Sequence, residues 1–577
     1  MKIKKLVSLA FAGLTCAGTA QASTFHVGTA QELQTALSTA AANGEDDTIF
    51  LAAGIYKGNF NFVTAEAQAL TIQPEAGLKT SDVVLDGQAS GRVLNLDAGS
   101  VNANFTIAAL LIRNGSVSAN GGGMYAGTHG VVSVFQCQFT SNGGYYAAGI
   151  CIANASSLSL GNTTINGNQG GGAAIRNVTA VQLTSNTFFN NSGSKTSYGG
   201  SDGGGASVLG GTTVSIVGNR FSGNSVGGYG QGGGFFVEGG NLVTCVNNTL
   251  ENNSGMNGGG GIAIQNASQV ILTQNLLKQN NASGGEWWDT WWTTSDGHGG
   301  GICLSGCTSV SIDGNYLLQN AAGGGSGGAG IYVRCNAVVC DNNVFAGNNA
   351  SCPGGGFYCS LSGDANTILR FVNNTVYGNT SVNNGGGVCF AIGGNAEHLL
   401  VHNNTIWGNT AINGQDVYLT GYGSEKRLYN NNVHELFGLW DFAVSNIDVA
   451  PLFVDALRGN YRLRANSLCI NAGNNAAPGL PLVDLDGNAR IADGVVDIGA
   501  YEQSASDWHP ADVNTNWTIA APEFNAYAQA WTNSAAWSTG PNPIPIDYVT
   551  RAGYLSQTNG GNYQNTGGGK PLNWNPR

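Results

Sequence analysis

NTLENN, residues 248–253, returns as NLLKQN at 275–280 and as NYLLQN at 315–320. In each copy two residues, an apolar one and two more lead into a closing Asn. The phrase also ends at Asn142 (CQFTSN), Asn191 (NTFFNN), Asn224 (NRFSGN), Asn348 (NVFAGN), Asn379 (NTVYGN) and Asn409 (NTIWGN), with looser copies at Asn114 and Asn168. Between copies stands a glycine run followed by an apolar residue, as in GGGF at 232–235, GGGI at 299–302 and GGGV at 385–388. Self-similarity at about 20–50 residues is the mark of a solenoid or a propeller.

The contents of the repeat choose between them. No helical apolar spacing is present, whereas short β-branched runs such as TVSIV (213–217) alternate in and out. Gly- and Asn-rich corners interrupt these runs, as turns with positive φ require. Three short strands per turn of about 28 residues describe an all-β, right-handed parallel β-helix; a propeller blade needs about 40–45. Strands about 4.8 Å apart would stack the eleven phrased turns into roughly 50 Å. The closing Asn residues are then expected to pass side-chain amide hydrogen bonds along the axis, satisfying corners that burial would leave unpaired. Glycosylation sequons such as Asn104-Phe-Thr106 explain the Asn content less well, because the residues follow the phase of the repeat.

Residues 1–22 have a basic start (Lys2, Lys4, Lys5), an apolar middle from Leu6 to Leu14 and Ala20-Gln21-Ala22. This reads as a secretory signal peptide, so the mature chain is expected to be secreted, extracellular or held at the cell surface, with no transmembrane segment. A net charge of -12, with only 22 Lys and Arg, argues against nucleic acid and anionic membranes as partners. Eleven of the 12 cysteines follow the leader. Cys307 and Cys335 lie one turn apart and are the best candidates for a disulfide, and the lack of a CxxC pair argues against zinc.

Ahead of the strands, Thr29-Ala-Gln-Glu32 reads as a capping box, with Leu33, Ala36, Leu37 and Ala40 on one face, predicting a helix over 29–43 as an N-terminal cap. TIFLAAGIY (48–56) resembles the opening turns of pectin-lyase-like β-helix proteins. The long interval before Asn320 holds Trp287, Trp288, Trp291 and Trp292, then Asp296 and His298. Four tryptophans in one thrown-out loop suit a ligand-binding platform for sugar rings or an anchor for a protein; they equally suit a lid packed on the flank. His298, between glycines, reads as a turn residue.

Past 443 the repeat gives way to APLFVDALRGNYRLRANSLCINAGNN (450–475) and VDLDGNARIADGVVDIGAYE (483–502). This closely resembles the choice-of-anchor Q region that ends many secreted bacterial β-helix proteins, which implies export and surface retention but no reaction. The chain thus divides into leader (1–22), β-helix (23–443), choice-of-anchor-like end (444–503) and tail (504–577). In the tail, Asp512, Asn514, Asn516, Thr518 and Glu523 stand at positions 1, 3, 5, 7 and 12 of an EF-hand spacing, with Thr518 contributing its carbonyl. The stretch resembles a dockerin-type calcium loop, which implies Ca2+ as cofactor. It departs from that pattern in having Trp517 at position 6, where Gly is usual, and no second loop. An Asx-rich turn before a helix over 521–531 is the alternative. Beyond Gly540 the Pro-, Gly- and Asn-rich sequence predicts loose order.

Three functions fit these features: a non-catalytic β-helix that binds carbohydrate or another surface partner, a polysaccharide lyase or glycoside hydrolase, and a structural surface-layer or filament component. Lyase chemistry needs a base beside Arg, Lys or calcium, and hydrolysis needs paired carboxylates. Between 100 and 430 the basic residues look scattered, and Asp202, Asp289, Asp296, Asp313, Asp341 and Asp364 are mostly isolated. The first reading is therefore preferred.

Overall fold

The computed structural model describes residues 22–577 apart from 146, 197–198, 201, 285–297, 324–326, 363–366, 394–397, 423–424, 465, 504–507, 539–540, 566–570 and 573. The leader segment 1–21 and all four insertion tryptophans lie outside the described residues.

The chain is a parallel β-solenoid. Sheet one has 16 strands, from Ala22–Val27 to Phe442–Val444; sheet two, from Gly54–Lys57 to Asn432–Val433, and sheet three, from Phe60–Val63 to Leu436–Phe437, have 14 each. A shorter fourth sheet runs along the corner between sheets two and three. Every strand of the three long sheets pairs with its equivalent one rung away, for example Phe221 with Leu250 and Leu250 with Leu277. Equivalent apolar residues consequently stack inward in columns. On sheet two Phe188, Phe221, Leu250, Leu277, Leu317 and Phe345 are all fully buried, and the Phe188 and Phe221 rings stack at 4.6 Å. Each such side chain contributes about 1.5–3 kcal/mol through burial.

The corners explain the phrase. The expected ladder of closing Asn residues is present: Asn253 donates from Nδ2 to Asn280 Oδ1 at 2.9 Å, and Asn280 to Asn320 Oδ1 at 3.0 Å. It continues through Asn348 and Asn379 to Asn409, which donates to Asp416. A second ladder, unforeseen from the sequence, uses the Asn that opens the phrase. Asn186, Asn219, Asn248, Asn275, Asn315, Asn343, Asn374, Asn404 and Asn431 are linked in the same way. The two ladders flank the three-residue strand of sheet two, so its corner groups are satisfied on both sides. A residue in the left-handed region precedes each rung amide, such as Asn247 (φ 53°) before Asn248 and Asn252 (φ 56°) before Asn253. That conformation turns the next side chain inward, and Asn and Gly tolerate it best.

Helix α1 (Ala30–Ala40) is shorter than the predicted 29–43. Thr29 Oγ1 accepts from Glu32 N at 3.2 Å, and Glu32 Oε2 accepts from Thr29 N at 3.0 Å. Its buried Leu33, Ala36, Leu37 and Ala40 join the core of the first rungs.

The coil closes with Asn446, which accepts from Asn431 Nδ2 at 3.1 Å, and Ile447, which bridges in parallel to Asn432; residues 450–503 do not continue it. After the last strand a short hairpin (Phe453–Asp455 with Asn460–Leu463) leads into a strap that runs back along the flank. The strap docks on a third stack of amides, the outward residues that precede the second ladder. Asn342 Nδ2 donates to Val483 O, Asn373 Nδ2 to Asp497 O and Gly499 O, Asn403 Nδ2 to Asn474 O, and Asn430 Nδ2 to Ala472 O. At its centre Arg490, 1% exposed, donates to Gly499 O, Ala500 O and Asn342 Oδ1. The buried carboxylates around it cap backbone N–H groups: Asp484 those of Asn488 and Glu502, Asp497 those of Asn471 and Gln503. Burial pushes Asp484 up to about 6, Asp497 to about 7 and Glu502 to about 8.

Beyond Gly540 the described residues of the tail form regular elements, contrary to the reading of its composition. Helix α2 (Ala521–Thr532), helix α3 (Ile546–Gln557) and an antiparallel pair (Tyr563–Asn565 with Trp574–Pro576) enclose a core of their own. Val549, Ala552 and Leu555 are spaced as one helical face, a signal that the Pro and Gly on either side obscured.

The cysteines correct a second expectation. Cys307 and Cys335 stack one rung apart, with Asn336 N donating to Cys307 O at 3.1 Å, but no disulfide joins them or any other pair among the described residues. The described cysteines are all buried and pack as small hydrophobes.

Candidate functional site

The corner between sheets two and three carries the long insertion. Ser283 N donates to Gly255 O at 3.1 Å and Gly284 N to Met256 O at 2.9 Å, fixing the departing strand. His298 pairs with Gly258 as an isolated parallel bridge and fixes the return. The corner is made of backbone packed on backbone: a Cβ on Gly260 would lie 2.5 Å from main-chain atoms of Asn281. His298 is a corner residue, as its glycine neighbours suggested. Its ring stacks on Tyr332 at 4.3 Å, and Tyr332 stacks on Tyr358 at 5.3 Å.

The two Tyr rings belong to the outward column of sheet three, with Phe236, Ala263 and Cys303, and His298 stacks on it from the corner. The column was not foreseen, because its members are spread over five rungs and only the register aligns them. Trp287, Trp288, Trp291, Trp292 and Asp296 all fall outside the described residues, between Gly284 and His298.

Basic residues of the coil are less scattered than the sequence suggested. Arg370, Leu400 and Arg427 occupy one outward column of sheet one, with His402 two positions along the middle rung. Burial, with the Arg427 charge beside it, lowers His402 to about 4. His402 is only 3% exposed and Arg370 packs under Gly479 of the strap, so a polymer has no access to this His. Asp313 and Asp341 also come together, on adjacent rungs of the same sheet. They face the strap, and burial followed by the Asp313 charge raises Asp341 to about 7.

In the tail the five residues of the calcium spacing form one closed turn. Asp512 Oδ1 accepts from Asn516 N at 3.1 Å, and Oδ2 accepts from Trp517 N at 2.9 Å and from the Tyr563 hydroxyl at 2.7 Å. Asn516 Oδ1 accepts from Thr518 N at 2.9 Å. Glu523 Oε2 caps α2 through Ala520 N at 2.9 Å, and its Oε1 accepts from Asn514 Nδ2 at 2.8 Å. Trp517 adopts φ 64°, so the left-handed turn expected of Gly at position 6 is made without it. Its indole is buried against Tyr563 and Trp508, which holds the residue in that conformation. Opposite the loop lies residues 558–563 rather than a second carboxylate loop: Ile519 N donates to Gly561 O and Tyr563 N to Trp517 O.

An oxygen-only donor set and this turn fit a hard cation. Calcium at the loop would have to exchange the Asn514–Glu523 hydrogen bond for ligation. Burial, opposed by the Tyr563 hydrogen bond, lifts Asp512 to about 6. Among the described residues no cluster of three or more His, Cys, Asp or Glu side chains is arranged to hold a metal, so any ligation here depends on Asn and main-chain oxygens.

A family model described as a right handed beta helix region matches residues 122–291. The match begins within the glycine run at 121–123 and ends at Trp291. No curated protein matches the chain. Among the described residues no helix is long and apolar enough to cross a membrane.

Proposed function

We propose that this is a secreted or surface-displayed β-helix protein that binds carbohydrate or another surface partner without catalysis, through the corner that carries Trp287, Trp288, Trp291 and Trp292. The observation behind this reading is the outward aromatic column. An insertion with four indoles springs from the point where His298, Tyr332 and Tyr358 stack. Flat rings in series suit sugar faces, which present C–H groups to aromatic surfaces.

The tail loop is assigned calcium, held by Asp512, Asn514, Asn516, the Thr518 carbonyl and Glu523. Bound there, the cation would bridge the loop to the first turn of α2. Asp512 and Glu523 repel each other without it, which favours uptake of positive charge. Export rests on the leader and on the choice-of-anchor resemblance.

The test is a glycan array read with the wild type and with a variant carrying Ala at all four tryptophans. The variant should lose glycan signal while keeping the wild-type melting temperature. Loss of folding instead would make the indoles a packed lid and overturn the platform. Appearance of unsaturated uronate absorbance with acidic polysaccharides would replace this reading by the lyase.

A further inference from the structure

A second, chemically different site lies where the hairpin meets the tail. A cavity of about 380 Å³ is lined by Arg458, Arg464 and Arg577, with Asn516, Thr518 and Asn562 completing its polar rim. Three guanidinium groups around one hollow are unexpected in a chain of net charge -12 with 22 Lys and Arg in all.

The single carboxylate in the lining, Asp455, is already bound: its Oδ2 accepts from Arg458 Nη1 at 2.8 Å, and its Oδ1 caps Arg458 N. Arg458 is otherwise 87% exposed, with its remaining N–H groups unspent. Arg464 directs Nε to Phe453 O at 3.1 Å and Nη2 to Val454 O at 2.9 Å. Those bonds fix its plane and leave Nη1 over. Arg577 is held through its main chain, its N donating to Asn562 O at 3.1 Å. Among the described residues its guanidinium makes no hydrogen bond or ion pair. It lies close enough to Arg462 for the two charges to repel, while the Arg462 charge is answered by Asp486. Among the described residues the lining carries three guanidinium groups against one side-chain carboxylate, Asp455, while Asp486 outside it also favours the Arg577 charge. Such a place is stabilised by an anion.

We propose that this pocket binds an oxyanion group, a carboxylate or sulfate, with Arg458, Arg464 and Arg577 as donors and Asn516, Thr518 and Asn562 beside the rest of the ligand. Its size suits one sugar acid, and the same chemistry would accept a free inorganic anion. The pocket borders the tail loop through Asn516 and Thr518 and is separate from the tryptophan corner, so the two sites can succeed or fail independently.

Isothermal titration of the whole protein with sodium sulfate, galacturonate and neutral galactose tests this. Sulfate, galacturonate or both should bind saturably, more weakly as ionic strength rises, and galactose should not. If only sulfate binds, the source is a compact oxyanion; if galacturonate binds more tightly, it is an acidic sugar. Arg458→Gln and Arg577→Gln should each weaken binding about tenfold, the loss expected for one charge-assisted hydrogen bond, with circular dichroism unchanged. Arg464→Gln is left aside because that side chain supports the hairpin. Absence of saturable binding, equal binding of galactose, or full affinity in the Arg458→Gln/Arg577→Gln double variant would overturn the assignment.

Discussion

Removing one amide from the middle of a ladder is the sharpest test of what holds the coil. Asn253 Oδ1 accepts from Asn224 N and from Asn224 Nδ2, both at 3.0 Å. Its Nδ2 donates to Asn280 Oδ1 at 2.9 Å and to Phe221 O at 3.0 Å. Asn253→Ala strands two donors on the preceding rung and removes a donor from the Phe221 carbonyl, all beneath a residue that is 1% exposed. Asn280 Oδ1 still accepts from the main chain of residue 253 at 3.1 Å, so the next rung suffers less. At about 1–3 kcal/mol per stranded buried group, the loss should be about 3–6 kcal/mol. A solenoid loses stability locally, so the measurement is hydrogen exchange resolved by peptide. Protection should fall most over residues 219–253 and fade within a few rungs. Asn241→Ala, an exposed Asn on the same rung, is the control and should change stability by less than about 0.5 kcal/mol. Equal, small losses in both variants would mean that the ladders follow from the fold without supporting it.

Three further outcomes follow from the same geometry. Gly260→Ala should destabilise the corner beneath the insertion by at least about 1–3 kcal/mol, because its Cβ meets rigid main chain rather than a movable side chain; a wild-type melting temperature would show that the corner yields. For the strap, Asp484, Asp497 and Glu502 have folded pKa values raised above their unfolded ones, so their contribution is fully present below about pH 4 and declines as pH rises through about 6 to 8. Proteolysis within 470–503 should accordingly be faster at pH 8.5 than at pH 5.5 after correction for the protease's own pH dependence, and the opposite order would refute this. Millimolar calcium should raise the melting temperature of the tail, with the gain absent in Glu523→Gln and shrinking as pH falls through about 6, where Asp512 takes up a proton; no shift in the wild type would end the calcium assignment.

What the sequence by itself determined is the coil. Its rungs are written as a repeat because each rung solves the same local problem: three short strands, corners in the left-handed region, and an inward amide. Asn248, which opens the phrase, stands as plainly in the sequence as Asn253, which closes it, yet the spacing of the closing residues alone points to a ladder. The eye follows the residue that closes the phrase, and the first position varies at the start of the coil, where Cys137 and Thr163 occupy it. Helix α1 was readable because its capping box and apolar face are local. Helix α3 was missed because its signal is short and bordered by Pro and Gly.

Only the tertiary structure decided which distant residues meet. The strap's grip on Asn342, Asn373, Asn403 and Asn430 spans 42 to 141 positions. The aromatic column at the insertion depends on register across five rungs. The arginine pocket needs the hairpin, the tail loop and Arg577 in one place. In a solenoid, sequence neighbours fix a rung, but the stacking of rungs and the path of the returning strap fix what lies beside it; that information is held in pairing and packing rather than in any one stretch of chain.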